Sequence, residues 1–444
     1  MTDTDTLIKI AEAACDAATA EGAEFADVSA SAGKSLSVEL ESSAVKSCDA
    51  RLDTRISVRA IYRGGTGWSS TDKLTVDAAA EAGRHAARLA KLAEPDPEFV
   101  SLPGPVAEYP VVEGLHDPAV AGMDVKEIIR FSLENIDGAL AVAPGAIVSG
   151  GFSSSYTADA LVNSLGVRLA DEDTNIGGHI MVVVRRGEDV GSFYDFDSGR
   201  MLADFVSEGI GARAAQQALK FIGARRIETG RMPVVLGPLS GRSIFTSVVS
   251  SADAEGVQRG RSFMIGKVGQ KIASDLVTIT DDPLIPRGLG SRRYDYEGFP
   301  SRPLVIVENG VLKTYLYGSY TAGKAKVANT GHGMRGGGAA PSNIVPKLGT
   351  VTSEQIIRDT KDGLYINLGG ISPNGSTGDV STSVDFGFKI ENGELAYPVA
   401  STLIGGKFLD MLANIDAISS DYREEPGMIM PTVRIQDVMV AGGK

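Results

Sequence analysis

Residues 233–260 read PVVLGPLSGRSIFTSVVSSADAEGVQRG. An apolar strand, Pro233 to Gly237, runs into a Gly-Pro turn, and a helix from about Gly241 follows and ends in Ala-Glu-Gly. Just upstream, Arg225-Arg226-Ile227-Glu228-Thr229-Gly230 is a polar joint between a helical pattern and this strand. It divides the chain into an N-terminal domain, residues 1–225, and a C-terminal domain, residues 226–444. A chain of 444 residues is long enough for two or three domains.

Upstream of the joint, helical and strand periods alternate. Leu7, Ile8, Ile10, Ala11, Ala14 and Ala18 recur at helical spacing behind a Thr/Asp start, and Gly22 ends that helix. Ala26 to Ala32, Leu36 to Glu41 and Ile56 to Tyr62 read as strands. Val76 to Leu92, Val125 to Val142 and Met201 to Lys220 read as helices, with a proline-punctuated loop between Pro95 and Asp117. A short echo runs through this half. ISVRAIYR (56–63), a glycine turn and Gly67 to Asp72 are followed by IMVVVRR (180–186), a glycine turn and Gly191 to Asp195, each leading into an Ala-rich helix. The echo fits a true duplication or two similar hairpins.

Downstream, strands and turns dominate. Leu304 to Val307 and Val311 to Tyr317 flank Glu308-Asn309-Gly310, while Phe386 to Ile390 and Glu394 to Val399 flank Glu391-Asn392-Gly393. Asn-Gly between apolar runs favours a type I′ hairpin, since both residues accept positive φ. The expected class is α+β: an N-terminal sheet with helices packed on one face, then a strand-rich C-terminal domain with hairpins and few helices.

Composition narrows the function. Net charge is −13, from 43 basic and 56 acidic residues, which suits solubility and leaves no basic surface for phosphates, so direct nucleic-acid binding is not expected. The two cysteines, Cys15 and Cys48, cannot form a disulfide framework and fit a reducing compartment. Met1 to Ala20 is acidic without a long apolar run, which argues against a signal peptide, and no stretch of about 18 apolar residues suggests a membrane span. A cytoplasmic protein is expected.

Other features of the C-terminal half extend the pattern of residues 233–260. They are GKVGQKIASDLVTITD (266–281), Glu297-Gly298, the Asn309-Gly310 hairpin, Thr330-Gly331-His332, Thr377-Gly378-Asp379, Gly387-Phe388, the Asn392-Gly393 hairpin and Tyr397-Pro398-Val399. In this order and spacing they resemble the TldD/PmbA family, also called modulators of DNA gyrase. The resemblance is strong over residues 225–444 and weak before them. It implies a two-subunit metalloprotease. In the TldD-type subunit the helix carries HExxxH: two histidines bind zinc and the glutamate is general base on the bound water. Anchored on Glu255-Gly256, those positions fall here on Ser247, Val248 and Ala252. The family's third ligand is a cysteine near the C-terminus, and none follows Cys48. Neither catalytic residues nor metal ligands are therefore expected in this chain. It resembles the PmbA-type (TldE-type) subunit, with zinc expected in the partner.

The four histidines, His85, His116, His179 and His332, are scattered without paired spacing. His332 lies in the glycine-rich run Gly331 to Gly338, read as a flexible loop. Thr330, Gly331, His332 and Arg335 are the candidate substrate- or partner-contacting residues. The run lacks the spacing of a phosphate-binding loop. Ser240 does not sit in Gly-x-Ser-x-Gly, so it reads as an N-cap and not as a nucleophile.

Three functions remain. The chain is a non-catalytic partner of a TldD-type zinc-bearing subunit in a complex that hydrolyses unfolded or leader-like peptides. Or it is a self-sufficient homodimeric peptidase, or a non-enzymatic peptide-binding or regulatory protein.

Overall fold

The computed structural model describes residues 2–443. The first half contains α1 (Thr4–Ala20), β1 (Phe25–Glu41), β2 (Ala44–Tyr62), β3 (Gly65–Thr71), α2 (Val76–Leu92), α3 (Pro118–Ala121), α4 (Val125–Val142), β4 (Ile147–Asn163), β5 (Arg168–Arg186), β6 (Asp189–Gly199) and α5 (Ile210–Lys220). The strands make one six-stranded antiparallel sheet, ordered β3-β2-β1-β4-β5-β6. In β1, Ala26, Val28, Ala30, Ala32, Leu36, Val38 and Leu40 are all buried. Alternation places them on one face, and α1, α2, α4 and α5 cover that face as expected.

The echo in the sequence corresponds to a repeated fold unit: α1-β1-β2-β3-α2 and then α4-β4-β5-β6-α5. The copies match in detail. A Cβ at Gly83 would lie 2.1 Å from the carbonyl oxygen of Ala14, and one at Gly211 would lie 2.0 Å from that of Asn135. Glycine thus lets each unit's second helix touch its first. Gly67 and Gly191, the start points of the two echoed segments, do the same beneath α2 and α5, at 2.2 Å each.

The second half contains β7 (Gly230–Leu236), α6 (Pro238–Ser251), α7 (Ala254–Gln258), β8 (Ile279–Asp281), β9 (Leu304–Glu308), β10 (Val311–Leu312), α8 (Ser319–Ala325), β11 (Ile344–Pro346), α9 (Ser353–Arg358), β12 (Asp362–Leu368), β13 (Asp379–Val384), β14 (Phe386–Glu391), β15 (Glu394–Pro398), β16 (Thr402–Lys407), α10 (Phe408–Ala413), β17 (Ile415–Glu425) and β18 (Met428–Gly442). Two sheets result, β10-β9-β8-β11 and β13-β16-β18-β7-β12-β14-β15, with β17 paired to β18. The Asn-Gly turns take positive φ at both residues: 47° and 78° at Asn309-Gly310, 53° and 81° at Asn392-Gly393. A large core around Leu236, Ile244, Phe245, Val248 and Phe408 fills this half.

The halves meet in an aromatic seam. Phe388 is buried in the core of α4 and α5, and its ring centroid is 4.7 Å from that of Phe221. Phe386 contacts both Phe221 and Phe193. The joint itself is pinned: Arg225 donates its N–H to Pro398 and accepts one from Ala400, both at 2.8 Å.

Several expected boundaries move. Residues 25–41 form one strand and not two, because Gly33 and Lys34 stay in register with β2. β2 begins at Ala44 rather than Ile56, and the long β4 and the first half of β5 appear where no strand was expected. The helix expected over 201–220 begins at Ile210, since Gly209 has φ +81°. No helix among the described residues is long and apolar enough to cross a membrane.

Candidate functional site

β7 delivers the chain into α6, the helix that begins the most informative stretch of sequence. Its N-cap is Gly237, with Pro238 in the first turn and no side-chain cap. Ser240 is therefore not the N-cap expected of it. Its hydroxyl donates to the carbonyl of Gly369 at 2.8 Å. Ser243, one turn on, accepts the N–H of Ile371 at 2.8 Å, and Ser247, a further turn on, donates to the carbonyl of Ile371 at 2.9 Å. One helix face thus holds residues 369–371 in place through a row of serines. Beyond it lies a cavity of about 370 Å³ lined by polar groups, among them Ser247, Ser250, Asp253, Arg261 and Ser262.

Of the HExxxH-equivalent positions Ser247 alone lines this cavity, and none of the three side chains fits zinc. Ser247 is engaged with Ile371. Val248 and Ala252 are completely buried in the apolar core. Among the described residues no group of three or more His, Cys, Asp or Glu side chains is arranged to hold a metal ion.

The glycine-rich run lies elsewhere, against the helix-free face of the N-terminal sheet. It is anchored, not a free surface loop. His332, 1% exposed, places Nε2 2.9 Å from Asp281 and Nδ1 3.0 Å from Thr330. Asp281, fully buried at the end of β8, also accepts the N–H and hydroxyl of Ser342. Thr330 closes the turn on Tyr317, accepting its N–H and donating to its carbonyl. Gly331 supplies the positive φ of that turn, +79°.

Arg335 reaches into the N-terminal sheet. It donates to the Asp27 carboxylate at 2.6 Å and to the carbonyls of Asp27 and Ser57. Arg59, on the neighbouring strand, donates to the other oxygen of Asp27 at 2.8 Å and pairs with Glu297 at 3.4 Å. Glu297 accepts the N–H of Ser319. Both guanidiniums lie over the ring of Trp68, at 5.3 Å and 5.8 Å. Burial alone would push Asp27 up, but Arg335 and Arg59 hold its carboxyl below the usual range. Asp295 accepts N–H groups from Glu297, Phe299 and Gly333; burial, then the charge of Glu297, pushes it up to about 7.

Beside this clamp is a cavity of about 620 Å³ between the sheet and residues 289–296 and 334–341. Its floor includes Asp159 and Asp171, directly opposite each other on β4 and β5. Arg293 pairs with Asp171 at 2.9 Å and Tyr294 hydrogen-bonds to it, while burial still holds its carboxyl above the usual range. Burial, then Asp171, pushes Asp159 up to about 6. Of the four candidate residues, only Arg335 lines this cavity, and Thr330, Gly331 and His332 build the turn that positions it.

Sequence reasoning missed Asp27, Arg59, Asp281, Asp295 and Glu297. For Asp27 and Arg59 the signal was a charge interrupting an apolar alternation, in ADVSA and SVRAI, while Asp281 and Glu297 stood among the marks of the resemblance without a role.

Comparison with known proteins places these features. Family models described as PmbA/TldA metallopeptidase domain 1, central domain and C-terminal domain match residues 26–90, 118–221 and 229–442. The Metalloprotease PmbA of Escherichia coli O157:H7 is 26% identical over 429 residues, covering 94% of this chain and 92% of the relative. A metalloprotease of Methanothermobacter thermautotrophicus is 26% identical over 445 residues, covering 94% and 96%. The crystal structure of TldE from Thermococcus kodakarensis superposes with a TM-score of 0.89 at 25% identity, covering 98% of this chain and 100% of that one. With the resemblance in its C-terminal half now matched along nearly its whole length, the chain belongs to the PmbA/TldD family of metallopeptidases.

Proposed function

We propose that this chain is the non-catalytic, TldE-like subunit of a peptidase whose zinc is held by a TldD-type partner. The peptidase activity follows from relatives named as metalloproteases. The subunit role rests on one observation: Ser247, Val248 and Ala252 occupy the helix positions where zinc ligands and base would sit, two of them sealed in the core. The substrates are unfolded or leader-like peptides, held in extended form through backbone hydrogen bonds with little dependence on sequence.

The test is reconstitution. Peptidase activity and zinc content are measured for this chain alone, for a family member carrying HExxxH, and for the mixture. The proposal expects less than stoichiometric zinc and no hydrolysis from this chain alone, with hydrolysis from the mixture. Zinc-dependent hydrolysis by the isolated chain would favour a self-sufficient homodimeric peptidase. A stable but inactive mixture would favour a binding or regulatory protein.

A further inference from the structure

Charge is unevenly matched around the cavity between the sheet and residues 289–296 and 334–341. Most of the charged groups on its wall already have partners. Asp171 is held by Arg293 and Tyr294. Asp173 pairs with Arg200 and accepts from Asn175 at 2.6 Å. Glu172 takes the hydroxyl of Tyr156 at 2.8 Å, and Asp295 takes three backbone N–H groups. Of the arginines, Arg335 is committed to Asp27, and Arg292 to the carbonyls of Ala340 and Pro341.

Asp159 is the exception. Among the described residues no hydrogen bond and no cation reaches its carboxylate. Its neighbours in register, Ser31 on β1 and Asp171 on β5, bring no positive charge. An ionised carboxyl left unpaired away from water is costly. Here that cost is kept on the floor of a cavity of about 620 Å³, within the range that holds small organic ligands.

The missing partner is a cation. A metal ion needs several ligands at once, and among the described residues no three acidic, histidine or cysteine side chains are so arranged. An ammonium group needs less: one carboxylate and two neutral oxygens use its three N–H donors. The same floor supplies such oxygens in Thr157, two residues along β4, and Ser29, diagonal to Asp159 on β1. No hydrogen bond among the described residues uses either hydroxyl. Tyr296 and Met334 line the cavity and are half exposed, so a ligand's carbon skeleton can lie against them.

We propose that this cavity binds an organic ammonium group, with Asp159 as its counter-ion and Ser29 and Thr157 as further acceptors. The amino group of a peptide and that of a free alkylamine share this chemistry. Binding needs no zinc-bearing partner.

Saturation-transfer NMR on the full chain at neutral pH tests this with three probes: butylamine, trialanine amide and N-acetyl-trialanine amide. Saturable binding is expected of at least one probe with a free amino group, and none of the acetylated peptide. Binding of butylamine as well as the peptide assigns the site to amines in general, binding of the peptide alone to peptide amino termini, and binding of butylamine alone to free amines. Asp159→Asn should weaken the binding at least about tenfold, since it removes a charge-assisted hydrogen bond. The amide leaves no charge to bury, and circular dichroism checks that the variant is folded. Glu188→Gln, exposed in the turn between β5 and β6, should leave the affinity unchanged. No binding of either amine, equal binding of the acetylated peptide, an affinity indifferent to Asp159→Asn, or an equal loss in Glu188→Gln would each overturn the proposal.

Discussion

Asp27 is the residue on which the junction between the two halves turns. It is 2% exposed and takes both guanidiniums of the clamp. Arg335→Ala leaves Asp27 paired with Arg59 but strips it of one charge-assisted partner, a loss of about 1.5–3 kcal/mol. Arg335→Ala should therefore lower stability by about that amount in urea denaturation. Arg335→Lys should recover only part, because an ammonium cannot reproduce bonds to a carboxylate and two carbonyls together. A loss below about 1 kcal/mol for Arg335→Ala would show that the clamp contributes little.

Asp159 gives a pH-dependent prediction. Its folded pKa, about 6, lies above the ordinary 3.8. For a raised carboxyl the protonated form is favoured by the fold, so the contribution of Asp159 to stability is fully present below 3.8 and is lost as pH rises to about 6. Asp159→Asn removes the ionisation. It should leave the melting temperature unchanged near pH 3.5 and raise it by a few degrees at pH 7. Equal effects at both pH values would contradict this assignment.

The HExxxH-equivalent positions give a third. Ser247→His, Val248→Glu and Ala252→His together should yield no robust peptidase activity. Two of the three new side chains must enter fully buried positions, and the family's cysteine is missing. Overpacking and an uncompensated buried carboxyl should also lower the melting temperature clearly. A stable variant that hydrolyses peptides would sink both this expectation and the subunit assignment.

At the scale of elements, much of the fold was legible. α2 and α4 run over the residues their apolar periodicity marks, and both Asn-Gly hairpins adopt the backbone their turn chemistry demands. The long strands were legible only in part. β4 reads IVSGGFSSSYTADALVN, in which Val148, Phe152, Tyr156, Ala158 and Ala160 alternate with Ser, Thr, Gly and Asp. Alanine and serine carry little strand propensity, so the alternation that places one face against helices is muted. In β2 the residues from Cys48 to Arg55 are all exposed, and hence show no apolar period. The seam belongs to this scale as well. Phe388→Ala should cost about 3–5 kcal/mol, measured by denaturant unfolding, since its ring packs in the core of the opposite half.

For the whole molecule, the sequence carried the family, because its marks follow one another in order along residues 225–444. The clamp was hidden. Asp27 and Arg335 are 308 positions apart, and Arg59 and Glu297 are 238 apart, so no local spacing joins them. The joint also looked different in sequence. Arg225 to Gly230 reads as a polar linker, yet Arg225 bonds to Pro398 and Ala400, and Thr229 to Gly442. Native trypsin treatment should therefore leave Arg225 and Arg226 uncut, as followed by mass spectrometry of early fragments. Rapid cleavage there would mean that the halves part more readily than their bonding indicates.

Trp68 is the only tryptophan in the chain, and it lies beneath Arg59 and Arg335 while still 38% exposed. The molecule thus carries a built-in optical gauge at the place where its halves are locked. Emission excited at the indole band should shift and change intensity whenever those two cations move, whether through denaturant, acid or the docking of another protein, with no label attached.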